Sequence, residues 1–97
     1  GEEKNVEIFS DLFSVIEDRK KNAPKNSYTA FLFKGGVSAI SQKVEEEALE
    51  VIKAAKSETK QRLIEETVDL IYHTFVLLVQ KKISLADIGK EMQKRRK

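Results

Sequence analysis

The segment from Leu63 to Val79 places two carboxylates in a predicted helix that is otherwise apolar on almost every side. Glu66 and Asp69 are three positions apart, so they are neighbours on one helix surface. A helix that is apolar all round is normally buried, and unpaired carboxylates are costly to bury unless they take up protons. Few cations lie within this stretch, so we expect the two charges to be neutralised from outside the helix.

A second acidic cluster lies on the preceding predicted helix and consists of Glu46, Glu47 and Glu50. Both clusters could be solvated helix faces, which is the usual role of such runs. We favour a shared site for a hard divalent cation, because carboxylate oxygens are the ligands that Mg²⁺ or Mn²⁺ prefers. The predicted ligands are Glu47, Glu50, Glu66 and Asp69. Glu46 points about 100° away from Glu47 and is predicted to be a second-metal ligand or the general base.

The helical period predicts the first half of the chain as two helices joined by a loop. Helix one runs from about Val6 to Lys21 with Asn5 as its N-cap, and residues 22–29 form the loop. After a short apolar piece, Gly35 and Gly36 are predicted to form a turn or hinge. Helix two then runs from about Val37 to Lys56.

Two further helices are predicted in the second half. Ser57 is expected to cap helix three, which ends near Gln80. Ser84 opens helix four with Asp87 three residues later, a capping-box variant. Helix four is expected to face inward with Leu85, Ile88 and Met92.

These patterns predict an all-α fold in one domain spanning residues 1–97, with residues 1–4 and 94–97 as flexible ends. No strand pattern or repeat is present in the sequence, so we expect an antiparallel bundle of four to five helices. A chain of 97 residues with one very apolar helix is expected to complete its core by homodimerisation.

Composition argues against several classes of protein. No apolar run approaches the roughly 20 residues of a membrane span, and no signal-peptide pattern is visible. The net charge of +2 and the lack of an interleaved aromatic surface argue against nucleic-acid binding. The absence of cysteine fits a reducing compartment. We therefore expect a cytoplasmic protein without nucleic-acid or membrane partners.

Two polar residues near the acidic clusters have both a structural and a functional interpretation. His73 follows Asp69 by one turn, so it could be a core histidine bonded to Asp69 or to a backbone carbonyl. Beside a metal site it could instead orient a carboxylate or contact substrate phosphate. Lys43 precedes Glu47 by one turn, so it could form an intrahelical salt bridge or bind phosphate.

From about Val6 to Met92 the sequence resembles the phosphoribosyl-ATP pyrophosphatase family. The pair of acidic motifs, ExxE and ExxD, is shared with a wider superfamily of all-α nucleoside triphosphate pyrophosphohydrolases that includes MazG-like enzymes. The segments that narrow the resemblance are Glu17-Asp18-Arg19-Lys20 and Ser27-Tyr28-Thr29. Where the family usually has Gly before its Glu-Glu pair, this chain has Glu45.

The resemblance implies Mg²⁺-dependent hydrolysis of phosphoribosyl-ATP to phosphoribosyl-AMP and pyrophosphate, the second step of histidine biosynthesis, by a homodimer. Mn²⁺ is an expected substitute. Glu46 and Glu47 are the expected catalytic residues, and the expected substrate-binding residues are Arg19, Lys20, Ser27, Tyr28, Thr29, Lys43 and His73. The alternatives are a MazG-like (d)NTP pyrophosphohydrolase and a helical interaction module without activity.

Overall fold

The computed structural model describes residues 2–96 and consists of four α-helices. No strand occurs within these residues, so the predicted all-α class is confirmed. Gly1 and Lys97, which belong to the two ends predicted to be flexible, lie outside the described residues. The helices are α1 (Glu2–Asn22), α2 (Tyr28–Ser57), α3 (Lys60–Gln80) and α4 (Leu85–Arg95).

Helix α2 consists of two helical segments that meet at a kink. The first begins at Tyr28 and contains the short apolar piece, which the sequence did not predict as helical, and the second follows Gly36, as the predicted start at Val37 requires. The predicted loop is accordingly shorter and ends at Ser27. The backbone of Gly36 is not helical, with φ of 74° and ψ of −172°. The predicted hinge is therefore present and separates the two segments of α2.

Side-chain caps fix the starts of α2, α3 and α4, and two predicted caps, Asn5 and Ser57, are not caps. The Ser27 hydroxyl accepts from the Ala30 amide, and the Thr59 hydroxyl accepts from the Arg62 amide. Ser57 is therefore not the cap of α3 but the last residue of α2. Asn5 is not an N-cap either, because it lies within α1. The predicted capping box of Ser84 and Asp87 is confirmed.

The core lies where α1 packs against a hairpin formed by α2 and α3. Two residues separate α2 from α3, which makes them antiparallel neighbours, and most contacts between helices join these two. The rings of Phe13 on α1 and Phe75 on α3 meet edge to face with centroids 5.2 Å apart. The buried apolar cluster consists of Phe13, Ile16, Leu32, Ile40, Val76 and Val79.

Several large apolar side chains stay at the surface of this small core. Leu85 packs against the core and Ile88 is partly buried, but Met92 is 68% exposed, so its predicted inward orientation is wrong. Phe31 and Leu49 on α2 are also exposed. None of the helices within residues 2–96 is both long enough and apolar enough to cross a lipid bilayer.

Candidate active site

Three of the four predicted ligand carboxylates come together between α2 and α3. Glu47, on α2, and Glu66 and Asp69, on α3, each offer an oxygen, and these oxygens lie within 4.8 Å of one another. Glu50 lies one turn beyond Glu47 but does not belong to this group, and its side chain is exposed. Glu46 is exposed as well, whereas the Glu47 side chain is only 14% exposed.

The carboxylate of Glu66 is the most deeply buried member of the cluster. Glu66 is only 6% exposed, and burial raises its pKa because the charged form loses solvation. Arg62 lowers the same pKa, whereas the nearby charge of Asp69 raises it. The site therefore concentrates negative charge around an acid group that is poorly solvated.

Arg62 is a cation of this site that the sequence analysis missed. Its guanidinium contacts Glu66, donates to Glu65 at 2.5 Å and lies 3.6 Å from Glu58. Spacings of three and four residues between an arginine and glutamates on one helix are a signal for such pairs, and here Arg62 precedes Glu65 and Glu66 by these spacings. Arg62 lies one residue before the stretch from Leu63 to Val79 but on the same helix, so the expectation that Glu66 is neutralised only from outside the helix is wrong.

Lys43 forms the intrahelical salt bridges that its spacing allows. Its Nζ donates to Glu46 at 3.1 Å and lies 3.7 Å from Glu47. The hydrogen bond with Glu46 raises the pKa of Lys43. Lys43 thus places a permanent positive charge against the carboxylates on the α2 side of the cluster.

The donor set of the cluster fits a hard divalent cation. Mg²⁺ holds oxygen ligands at about 2.1 Å, so two ligands of one ion are at most about 4.2 Å apart. The ligand oxygens of Glu47, Glu66 and Asp69 lie within 4.8 Å of one another, so small side-chain adjustments would bring all three onto one ion. All three donors are carboxylates and none is nitrogen or sulfur, a set that suits Mg²⁺ or Mn²⁺ better than Zn²⁺.

A cavity of about 650 Å³ lies where the end of α1 meets the start of α2. Four of the predicted substrate-binding residues line it: Arg19, Ser27, Tyr28 and Thr29. Burial raises the pKa of the Tyr28 hydroxyl, and the charge of nearby Lys43 acts in the opposite direction. The ammonium of Lys43 also lies 3.7 Å from Glu47, so Lys43 is near both the cavity wall and the carboxylate cluster.

Two predicted substrate-binding residues are engaged by other protein groups. The Lys20 ammonium donates to the Gln80 side chain at 3.0 Å and lies 5.3 Å from the centre of the Phe33 ring. His73 is buried, with Nδ1 2.7 Å from the carbonyl oxygen of Asp69 and Nε2 2.9 Å from the Tyr28 hydroxyl. The geometry at His73 matches the interpretation as a core histidine bonded to a backbone carbonyl.

An all-α chain that gathers carboxylates from two consecutive helices beside a cavity with cationic walls has the architecture of an all-α nucleotide pyrophosphohydrolase. Comparison with known proteins agrees with this class. The family model of phosphoribosyl-ATP pyrophosphohydrolase matches residues 9–96. The chain belongs to the phosphoribosyl-ATP pyrophosphohydrolase family.

Similar proteins include two phosphoribosyl-ATP pyrophosphatases and a bifunctional histidine-biosynthesis protein. The chain is 50% identical over 93 residues to a phosphoribosyl-ATP pyrophosphatase of Clostridium novyi, covering 96% of this chain and 84% of the relative. It is 55% identical over 89 residues to that of Clostridium acetobutylicum, covering 92% and 81%. It is also 45% identical over 95 residues to a bifunctional histidine-biosynthesis protein of Caldanaerobacter subterraneus, covering 98% of this chain and 46% of the relative.

Proposed function

We propose that this chain hydrolyses phosphoribosyl-ATP to phosphoribosyl-AMP and pyrophosphate, as a step of histidine biosynthesis in the cytoplasm. The reaction breaks the anhydride bond between the first and second phosphates of the triphosphate and adds the elements of water. One observation carries the proposal: a member of this family gathers Glu47, Glu66 and Asp69 beside a cavity that Arg19 lines.

The carboxylates on α2 and α3 would hold Mg²⁺, with Mn²⁺ as a substitute. Glu47, Glu66 and Asp69 are the core of the proposed ligand set, and Glu50 would complete it after a side-chain rotation from its exposed position. A bound divalent cation supplies the charge neutralisation that cleavage of a triphosphate needs.

Protein cations would bind the phosphates that the metal does not reach. Arg19 lines the cavity and carries a planar guanidinium that can bind phosphate through two parallel hydrogen bonds. Lys43 is near both Tyr28 in the cavity wall and the carboxylate of Glu47, so it would meet the phosphates nearest the bond that breaks. The Ser27 and Thr29 hydroxyls are uncharged donors in the same wall.

Glu46 is the proposed general base, with a role as a ligand of a second cation as the alternative. Its carboxylate is half exposed and accepts a hydrogen bond from Lys43, so it can reach solvent next to Glu47. A general base must lie within hydrogen-bond reach of the water whose proton it takes. Glu46 is open to solvent water, whereas Glu66 is buried, which supports Glu46 in this role.

We further propose that the enzyme is a homodimer. Leu49 and Ile52 lie one turn apart on α2, and Ile64 and Val68 lie one turn apart on α3, and all four side chains are exposed. Exposed apolar side chains on neighbouring helices are typical of an interface between subunits. We expect sedimentation to show a dimer that Ile64→Glu weakens, and a monomer in the unmodified protein would contradict the assembly.

Release of pyrophosphate from phosphoribosyl-ATP in the presence of Mg²⁺ tests the proposed function. We expect turnover of phosphoribosyl-ATP to exceed that of each member of a panel of dNTPs. Efficient turnover of the dNTPs with little turnover of phosphoribosyl-ATP would favour the MazG-like alternative. Calorimetry that detects no stoichiometric binding of Mg²⁺ or Mn²⁺ would instead favour a helical interaction module.

A further inference from the structure

Two consecutive residues of α3 are hydrogen-bonded to two consecutive residues at the start of α2. His73 Nε2 lies 2.9 Å from the Tyr28 hydroxyl, and the Tyr72 hydroxyl is hydrogen-bonded to the Thr29 hydroxyl. The rings of Tyr28 and Tyr72 are stacked, with centroids 6.4 Å apart. The first turn of α2 is therefore attached to α3 by a double polar contact.

His73 has no ring nitrogen left for a substrate. Its Nδ1 donates to the carbonyl oxygen of Asp69, since a carbonyl oxygen can only accept. In a neutral ring with hydrogen on Nδ1, Nε2 accepts from the Tyr28 hydroxyl. The residue is only 5% exposed, so a phosphate could reach it only by displacing one of these protein partners.

The hydrogen bonds of these four residues link the carboxylate cluster to the cavity. Asp69 contributes its carboxylate to the acidic cluster and its backbone carbonyl to His73. Tyr28 and Thr29, at the other end, line the cavity that also contains Arg19. A path of two hydrogen bonds thus runs from Asp69 through His73 to Tyr28, in the cavity wall.

We propose that Tyr72 and His73 are positioning residues, which hold Tyr28 and Thr29 in the cavity wall at a fixed place relative to the carboxylates. This inference rests on the proposed function, and it assigns to His73 a role through Tyr28 and not a direct contact with phosphate. Small displacements of groups that bind a substrate reduce binding and rate even when the reacting groups are intact.

Variants that remove single hydrogen bonds test the role in catalysis. We expect Tyr72→Phe to raise the KM for phosphoribosyl-ATP about fivefold, as expected for one lost hydrogen bond, with kcat changed less than KM. Calorimetry should show unchanged Mn²⁺ affinity, because the carboxylates stay in place. Thr74→Val is the matched control: it removes a hydroxyl of α3 that donates to the Leu70 carbonyl within the same helix.

A double-mutant cycle separates a positioning role of His73 from a direct one. We expect His73→Leu alone to raise the KM for phosphoribosyl-ATP, but to have little further effect when Tyr28 is already replaced with Phe. His73→Gln should restore part of the loss, because its amide can still bond the Tyr28 hydroxyl. An effect of His73→Leu that persists undiminished in the Tyr28→Phe background would overturn the inference.

Amide hydrogen exchange tests the same contacts without substrate. We expect Tyr72→Phe to speed exchange at the Phe31 and Leu32 amides about fivefold, and Thr74→Val to leave them unchanged. Unchanged exchange in Tyr72→Phe would overturn the inference even if the variant folds normally and its KM rises. If the unmodified protein releases no pyrophosphate, the proposed function fails, and exchange still decides whether α3 fixes the start of α2.

Discussion

The guanidinium of Arg62 contacts the buried carboxylate of Glu66 one turn further along α3. Glu66 faces Glu47 and Asp69, so Arg62 is the nearest protein cation on the α3 side of a cluster of three acids. Lys43 has the corresponding position on the α2 side. In the metal-free protein these two side chains take over part of the charge neutralisation that a divalent cation would supply.

Replacing Arg62 with Gln should separate this internal neutralisation from metal binding. We expect a lower melting temperature for the metal-free variant, because the buried carboxylate loses its partner. We also expect Mn²⁺ to bind about three- to tenfold more tightly, because a positive charge next to the site is removed. Scanning calorimetry and titration calorimetry measure the two effects.

Arg95→Gln is the matched control for Arg62→Gln. Arg95 pairs with Glu91 at the same spacing, but both side chains are exposed on α4. An exposed pair of this kind contributes little to stability, so we expect no measurable change in either experiment. Weaker Mn²⁺ binding in Arg62→Gln would contradict the assignment and would make Arg62 a residue that orients the metal ligand.

Removing the charge of Glu47 or Asp69 should abolish catalysis without unfolding the protein. We expect Glu47→Gln or Asp69→Asn to lower turnover at least about a hundredfold, because each would remove a proposed metal ligand. Circular dichroism should show the same helix content. Glu45→Gln, an exposed neighbour on α2, is the control and should keep its activity. Full turnover in either ligand variant would show that the ligand assignment is wrong.

Replacing Arg19 with Ala should weaken substrate binding and leave metal binding intact. Arg19 lines the cavity, and its guanidinium lies 3.4 Å from Asp18 and outside the carboxylate cluster. We expect the KM for phosphoribosyl-ATP to rise about tenfold, since charge-assisted hydrogen bonds to phosphate are among the stronger ones. Lys21→Ala, an exposed change in the same turn, is the control. Loss of Mg²⁺ binding in Arg19→Ala would contradict the assigned role.

Features that depend on nearby residues could be predicted from the sequence. The capping box joins Ser84 and Asp87, which are three positions apart, and the Gly36 hinge depends on the conformational freedom of a single residue. The pairing of acids within each helix follows from the helical period in the same way. The family resemblance, which depends on several such segments together, is confirmed by the comparisons.

Features that depend on packing between distant segments could not be predicted. The bond between Thr29 and Tyr72 joins residues 43 positions apart, and no local pattern encodes that distance. The helical segment from Tyr28 to the kink was not predicted because it is short and ends at a pair of glycines, whereas packing of Leu32 and Ile40 in one core holds the helices on both sides of the kink. Arg62 was missed because it stands one residue before the apolar stretch that begins at Leu63, in which cations were sought.

The capping box of α4 should make the free energy of unfolding fall as the pH is lowered through the pKa of Asp87. Hydrogen bonds from the Ser84 amide and hydroxyl hold the pKa of Asp87 below its usual range. A carboxyl with a lowered folded-state pKa stabilises the fold above its unfolded pKa, and this contribution is lost as pH falls through the folded pKa. We expect Asp87→Asn to be less stable than the unmodified protein at pH 7. Urea unfolding should show this difference shrinking below about pH 4, and a constant difference would contradict the argument.

The kink at Gly36 should make this position intolerant of any side chain. A Cβ added there would meet no atom within 4 Å, so the obstacle is the backbone and not space. The φ of 74° with ψ of −172° belongs to a region that is essentially restricted to glycine, so we expect Gly36→Ala to cost about 1–3 kcal/mol in urea unfolding. Gly89→Ala is the matched control, because Gly89 is inside α4 with open space around it. We expect this variant to be more stable than the unmodified protein by about 0.5–1 kcal/mol. Equal stability of Gly36→Ala and the unmodified protein would mean that α2 can straighten at this point without losing the packing of Leu32 and Ile40.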